Sequence, residues 1–260
     1  MEVLNDLLEI NNLKIYQDTE LFSFSLDSVL LPNFVTLNKN IKNVLDIGSG
    51  NACIPLILTT KTNASITGIE IQEKSYDLGQ KSIKYNNLDD KITFINQDIR
   101  EFAKEIESDS FDTITCNPPY FKVNEESRFN KNDYNRTYLR VNKNNLIIRK
   151  YNENSNFNSA SKNMKATEFK SFNGKKLLKN NGNIAIVHRP ERLVDILEKM
   201  KKNNIEPKKI QFVYPGINKE SNILLIEGVK NGKPGLKILN PLYSHLDNGE
   251  YTDEIKQFFK

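Results

Sequence analysis

The sequence predicts an α/β fold: a doubly wound, seven-stranded, mostly parallel sheet with helices on both faces and an antiparallel hairpin at its C-terminal end. Three observations carry this. Short apolar runs of strand type alternate with segments of helical period through the first half of the chain. The first of these runs is broken by Gly48-Ser49-Gly50, the strand–turn–helix punctuation of a ligand crevice. The last two runs face each other across Pro215-Gly216 with no helix between them.

In chain order, residues 1–12 read as a short helical lead with Leu4, Leu7 and Leu8 on one side, and residues 14–16 as a strand. Residues 22–31 lead into a helix capped by Ser25 or Asp27, with apolar positions from Val29 onward. Residues 43–47 form a buried strand, and residues 51–60 a helix that tolerates Pro55 close to its first turn. Strands over 65–70 and 92–96 flank a helix over 74–86, and a fourth strand runs over 111–116. From 122 to 165 no firm period survives, and the stretch is expected to be a long loop. A helix near 167–178, a turn at Asn181-Gly182 and a strand over 183–188 restore the pattern. Leu193, Ile196, Leu197 and Met200 then fall at helical spacing, before strands over 209–214 and 222–229 and a tail of loop and short helix.

The 260 residues are read as one domain, with residues 1–40 covering the crevice and residues 122–165 inserted as a basic, Asn-rich segment. The net charge of +4 is unevenly placed: residues 122–177 carry 13 Lys and Arg against 5 Asp and Glu. Phe129, Tyr134, Tyr138, Tyr151 and Phe157 are interleaved with those charges. Such a mixture suits phosphates and unstacked bases, so a polyanionic partner, RNA above all, is expected; a solvated lysine-rich insertion is the bland alternative. Two cysteines and two histidines leave no zinc cluster and argue against a disulfide framework, so no metal is expected and Cys53 and Cys116 are read as buried thiols. No segment has the length of a membrane span and the first residues lack a basic-then-apolar signal, so a cytoplasmic protein without membrane contact is expected; a monomer is expected as well.

The chemistry concentrates where strands end. Asp46, Ile47, Gly48, Gly50 and Asn51 surround the first turn. The glycines permit positive φ and close approach by a ligand. Asp46 before them repels a pyrophosphate, which disfavours NAD and a hydride-transfer enzyme, and attracts an ammonium group. Glu70 closes the second strand about 20 residues later, where a carboxylate can accept both hydroxyls of a ribose. Asp98 follows the third strand and suits either an exocyclic amine or the cap of the next helix. The fourth strand delivers Asn117-Pro118-Pro119-Tyr120. Two prolines keep the backbone extended and remove its donors, leaving carbonyl acceptors beside an amide and a flat ring. That set suits the edge and face of a planar amine such as adenine; the alternative is a turn that only ends a strand.

Taken together, the chain resembles the class I S-adenosylmethionine-dependent methyltransferases, which have a Rossmann-like fold. Its nearer likeness is to the bacterial tRNA adenine-N6-methyltransferases that act on the adenosine 3′ of the anticodon, position 37, in a valine tRNA. The likeness rests on residues 22–31 and 45–51, Gly68-Ile69-Glu70-Ile71-Gln72, Asn117-Pro118-Pro119-Tyr120-Phe121 and residues 187–192. It implies S-adenosylmethionine as cofactor, held by Asp46, Ile47, Gly48, Gly50, Asn51, Glu70, Ile71, Asp98 and Asn117, with Phe24, Ser25 and Asp27 closing over its methionine end. It implies that Asn117, the Pro118 carbonyl and Tyr120 hold the target base. Phe121, Lys122, Arg136, Arg140, Arg149, Lys150, His188, Arg189 and Arg192 are then the candidates for contact with tRNA. Relatives usually follow the Pro-Pro-aromatic turn with a shorter segment holding an Arg-His-Glu group; the comparable place here, Ile148-Arg149-Lys150-Tyr151, has no histidine. Methylation of adenine in another RNA or in DNA, or of glutamine in a protein, uses the same tetrapeptide. A non-catalytic RNA binder with a relic pocket is the alternative of another class.

Overall fold

The computed structural model describes residues 1–7, 9, 12–19, 24–118, 137–142, 145–150 and 174–260. A hairpin of β1 (Glu2–Asp6) and β2 (Lys14–Asp18) opens the chain, followed by α1 (Leu26–Phe34). The alternating core comes next: β3 (Asn43–Ile47), α2 (Cys53–Leu58), β4 (Ser65–Glu70), α3 (Glu73–Tyr85), β5 (Ile92–Asn96), α4 (Ile99–Glu105) and β6 (Phe111–Cys116). A separate hairpin, β7 (Thr137–Asn142) and β8 (Asn145–Lys150), precedes α5 (Gly174–Leu177). The chain ends with β9 (Leu178–His188), a 3-10 turn at Pro190–Arg192, α6 (Leu193–Lys202), β10 (Ile205–Tyr214), β11 (Ile223–Lys230), β12 (Lys237–Ile238), β13 (Leu242–Tyr243) and α7 (Asp253–Gln257).

The long strands lie in the order β10-β11-β9-β6-β3-β4-β5, with β12 and β13 both pairing to β10. Neighbours from β9 to β5 are parallel, and β11 runs against both of its neighbours. The expected seven strands are these; the two short additions bring the sheet to nine. The carboxyl ends of β3, β4, β5, β6 and β9 therefore share one edge, which is where open α/β sheets bind their ligands.

Apolar side chains on the two faces of the sheet form two cores. Leu7 and Ile15 of the first hairpin, Leu30 and Leu31 of α1, Leu56 and Ile57 of α2 and Ile83 of α3 pack with Val44, Ile66 and Val187 on one face. Ile99 and Phe102 of α4 and Ile196 and Met200 of α6 pack with Leu45, Ile47, Ile114 and Ile186 on the other. Alternation along each strand then assigns its polar residues to a face. Asp46, Glu70, Thr115 and Asn117 fall on the α1 side, and His188 on the α6 side. Gly79 lets α3 approach β5 closely, since a Cβ there would come within 2.3 Å of the Phe94 ring.

Three local readings are corrected. Residues 2–6 form a strand rather than a helix. The cause is long range: β1 completes a ladder with β2, whose outer edge is bonded by α3, with Lys14 N donating to Asn86 Oδ1 at 2.9 Å and Tyr16 N to Ser82 Oγ at 2.9 Å. Within the stretch expected to be a loop, residues 137–142 and 145–150 pair as β7 and β8, with Leu139 opposite Ile148 and Val141 opposite Leu146, a pairing that does not show when each strand is read alone. The expected turn at Asn181-Gly182 is present as a bulge inside β9, with Asn181 at φ 61°, because Leu178 already pairs with Phe111 before the register shifts. Of the helix expected near 167–178, residues 174–177 are helical and 167–173 lie outside the described residues.

Candidate active site

The first strand end is built around Asp46. It is fully buried in β3, and its Oδ1 accepts a hydrogen bond from Thr115 Oγ1 at 2.6 Å. Its Oδ2 is buried without a hydrogen-bond partner: the nearby Ser49 hydroxyl eases the charge on the carboxylate but donates its hydrogen bond to the Asp46 backbone carbonyl, at 3.0 Å. Burial pushes the Asp46 carboxyl up to about 6, with the charge of Glu70 a lesser contribution in the same direction. Gly48 at φ 70° and Gly50 at φ 57° turn the chain away, and a Cβ on either would meet nothing within 4 Å. The turn thus borders open space at two successive glycines, in a conformation that disfavours any side chain.

Glu70 locks this turn from the next strand. Its Oε2 accepts from Gly50 N at 2.8 Å and its Oε1 from Gln72 N at 2.7 Å. Only 3% exposed, it too is held above the usual carboxylate range by desolvation. Gly48 N and Ser49 N both donate to Ile69 O, at 2.9 and 3.0 Å, and Ala52 N to Ser49 O at 2.9 Å. These N–H groups are consumed within the protein, so the turn lacks the array of donors that cradles a pyrophosphate. Among the described residues no Lys, Arg or His forms an ion pair with Asp46 or Glu70. Two buried carboxylates without a counter-ion, one of them with an orphaned oxygen, fit a ligand that brings its own positive charge.

Asp98 caps α4: its Oδ1 accepts from Arg100 N at 2.9 Å, and the Arg100 guanidinium pairs with the carboxylate. The capping role is therefore occupied, and both carboxylate oxygens are engaged by Arg100. Ile47 is buried at the end of β3, Ile71 is half-buried after β4, and Asn51 Nδ2 donates to Tyr16 O at 3.0 Å, tying the glycine turn to β2. Phe24 and Ser25 are half-buried ahead of α1, where Ser25 is the N-cap residue without a side-chain cap bond. Asp27 sits in the first turn of α1.

At the end of β6, Asn117 is half-buried and Pro118 buried. Asn117 Nδ2 donates to Ser28 Oγ at 3.1 Å, so the first turn of α1 reaches across to the edge that Asp46 and Glu70 occupy. On the other face His188, 5% exposed, closes β9. Its Nδ1 accepts from Arg189 N at 2.8 Å, and burial, reinforced by the charge of Arg192, lowers its pKa to about 4. Arg189 Nη1 donates to Asn222 O at 2.9 Å, and Arg192 pairs with Asp195 at 2.9 Å. Arg140, Arg149 and Lys150 lie on the second hairpin, their side chains outside the described residues, as are Tyr120, Phe121, Lys122 and Arg136 altogether.

Sequence reasoning missed Thr115 and Ser28. Thr115 stands two residues before Asn117 in a strand, so the period of two points both to one face. Ser28 carried no such signal, because its contact spans 89 residues of chain.

A family model described as "Methyltransferase domain" matches residues 38–224. The chain belongs to the methyltransferase domain family. It is 35% identical over 107 residues to a tRNA1(Val) (adenine(37)-N6)-methyltransferase of Shewanella sediminis, covering 40% of this chain and 43% of that protein. It is 31% identical over 127 residues to a protein of the same description from Flavobacterium psychrophilum, covering 47% and 54%. The matches thus span about half the length of these relatives. Among solved structures, a predicted O-methyltransferase of Agrobacterium tumefaciens superposes with a TM-score of 0.62 at 13% identity, covering 90% of this methyltransferase-family chain and 95% of that one. At that identity the likeness shows the fold alone, and the fold is the Rossmann-like one expected.

Proposed function

We propose that the chain transfers a methyl group from S-adenosylmethionine to N6 of an adenosine in tRNA, the adenosine at position 37 of a valine tRNA. The observation that carries this reading is the convergence of Asp46, Glu70 and Asn117 at one sheet edge and on one face, with Asn117 tethered to α1 through Ser28. The relatives named above support the choice of tRNA and of position.

Asp46 and Glu70 hold the cofactor, Asp46 through the ammonium of its amino-acid end and Glu70 through its ribose. When bound, S-adenosylmethionine supplies a methyl group already activated by the adjoining sulfonium, so no protein nucleophile is required. Asn117 and the Pro118 carbonyl accept hydrogen bonds from the amino group of the base and fix its orientation; positioning supplies most of the rate. Ser28 keeps the Asn117 amide in one orientation. Tyr120 stacks on the base, which leaves the anticodon loop cheaply because it is unpaired. Residues 1–40 cover the cofactor and residues 122–165 contact the RNA.

The test is methyl transfer from labelled S-adenosylmethionine into unmodified tRNA, followed by nucleoside analysis. N6-methyladenosine in a valine tRNA is expected. Label in DNA or in protein, with none in tRNA, would overturn the substrate; no label in any of them would favour a non-catalytic RNA binder.

A further inference from the structure

Among the described residues, three buried side-chain polar atoms have no hydrogen-bond partner: Gln17 Nε2, Asp46 Oδ2 and Lys199 Nζ. Native interiors rarely leave a donor or an acceptor unmatched, so each such atom asks for an explanation. Lys199 belongs to α6, on the face away from the site. The other two belong to the site's own face and are of opposite type, one an N–H donor and one a carboxylate acceptor.

Gln17 is 6% exposed. Its Oε1 accepts from Asn5 Nδ2 at 2.7 Å, which leaves the N–H groups of Nε2 as the unmatched end of the amide. Gln17 and Ile15 are two residues apart in β2 and share a face, and Ile15 is part of the core beneath α1 and α2. The adjoining residue, Tyr16, receives the Asn51 amide at 3.0 Å, so β2 passes one side chain away from the glycine turn. The N–H groups of Gly48, Ser49, Gly50 and Ala52 are all consumed within the protein. Those four donors are closed to a ligand carboxylate, whereas Gln17 Nε2 is a buried donor without a partner.

We propose that Gln17 binds the carboxylate of the cofactor's amino-acid end through Nε2, while Asp46 Oδ2 takes the ammonium of the same group. The pair makes the site specific for an intact α-amino acid, and Gln17 is the residue that selects for its carboxylate. This rests on the cofactor reading above, and the test separates the two.

The probes are S-adenosylhomocysteine and its decarboxylated analogue, which keeps the amine and lacks the carboxylate, each titrated calorimetrically into the full chain. Gln17→Met is expected to weaken S-adenosylhomocysteine on the order of ten-fold or more, the worth of a hydrogen bond to a charged group. The analogue should bind the variant and the unaltered protein equally. Gln17→Glu retains the acceptor for Asn5 and sets a negative charge against the carboxylate; it should lose S-adenosylhomocysteine further and keep the analogue. Equal weakening of both ligands, or no change in either, would overturn the assignment of Gln17. Failure of the unaltered protein to bind S-adenosylhomocysteine would overturn the cofactor reading and the proposal with it.

Discussion

The ends of β3 and β4 and the ends of β6 and β9 lie on the same sheet edge and are built on opposite principles. The first pair presents two buried carboxylates, fixed by Thr115 and by the N–H groups of Gly50 and Gln72, with no cationic partner among the described residues. The second presents a neutral amide and a histidine kept neutral by burial, with the arginines beyond it engaged by Asn222 and Asp195. The contrast teaches where the protein stores unfavourable energy. An uncompensated carboxylate costs stability until a cation arrives, whereas the Asn117 end is already satisfied in part and, under the proposed function, has only to orient a neutral base.

The sharpest way to break this comparison is at Asn117. Asn117→Ala should lower the rate of methyl transfer by roughly a thousand-fold or more, the usual scale for losing a group that acts on the reacting atom. Affinity for S-adenosylhomocysteine, read by calorimetry, should stay within about three-fold. Retained turnover with lost affinity would move Asn117 to the cofactor side.

Asp46→Asn should do the reverse, weakening the cofactor about thirty-fold or more through loss of a charge-assisted bond. The same change should stabilise the ligand-free protein. An acid whose pKa is raised on folding favours the folded state only while it is protonated. Its contribution is complete below the ordinary carboxylate value and disappears as the pH rises through about 6. Denaturant titrations should therefore find Asp46→Asn more stable at pH 7.5, by at most on the order of 3 kcal/mol, and little different at pH 4.

Smaller effects should follow from the supporting contacts. Ser28→Ala removes one hydrogen bond from the Asn117 amide and should slow transfer about three- to ten-fold with cofactor affinity unchanged, as expected for loss of one neutral hydrogen bond. Arg192→Ala removes a half-exposed pair with Asp195, and melting curves should place its stability within about 0.5 kcal/mol of the unaltered protein.

How much of this was legible in the sequence differs between the same two regions. Asp46, Gly48, Gly50 and Glu70 stand directly after apolar runs, and a parallel sheet with both faces covered forces those runs to be continuous, so each strand end announces itself. Asn117 was marked by the prolines behind it. What stayed hidden was made by contacts distant in sequence. Leu4, Leu7 and Leu8 mimic a helical face, and the contacts that favour a hairpin, from Ser82 of α3 and Asn86 at its C-terminal cap to the edge of β2, are distant in sequence. Asp98 was open to the cap and the ligand role, which need not exclude each other, and its contacts with Arg100 show the cap. Gln17 carried no signal, since the strand expected over 14–16 stopped short of it and a lone polar residue on the buried face of Ile15 has no partner visible in the sequence.

The most direct test of the central claim, that a buried carboxylate awaits a cationic ligand, is the pH dependence of S-adenosylhomocysteine binding. With the Asp46 carboxyl at about 6 in the free protein, affinity should fall about four-fold between pH 7.5 and pH 5.5. Calorimetry in buffers of different ionisation enthalpy should show protons released on binding near pH 6, and Asp46→Asn should abolish both effects. Affinity independent of pH in the unaltered protein, or a dependence that survives Asp46→Asn, would contradict the account.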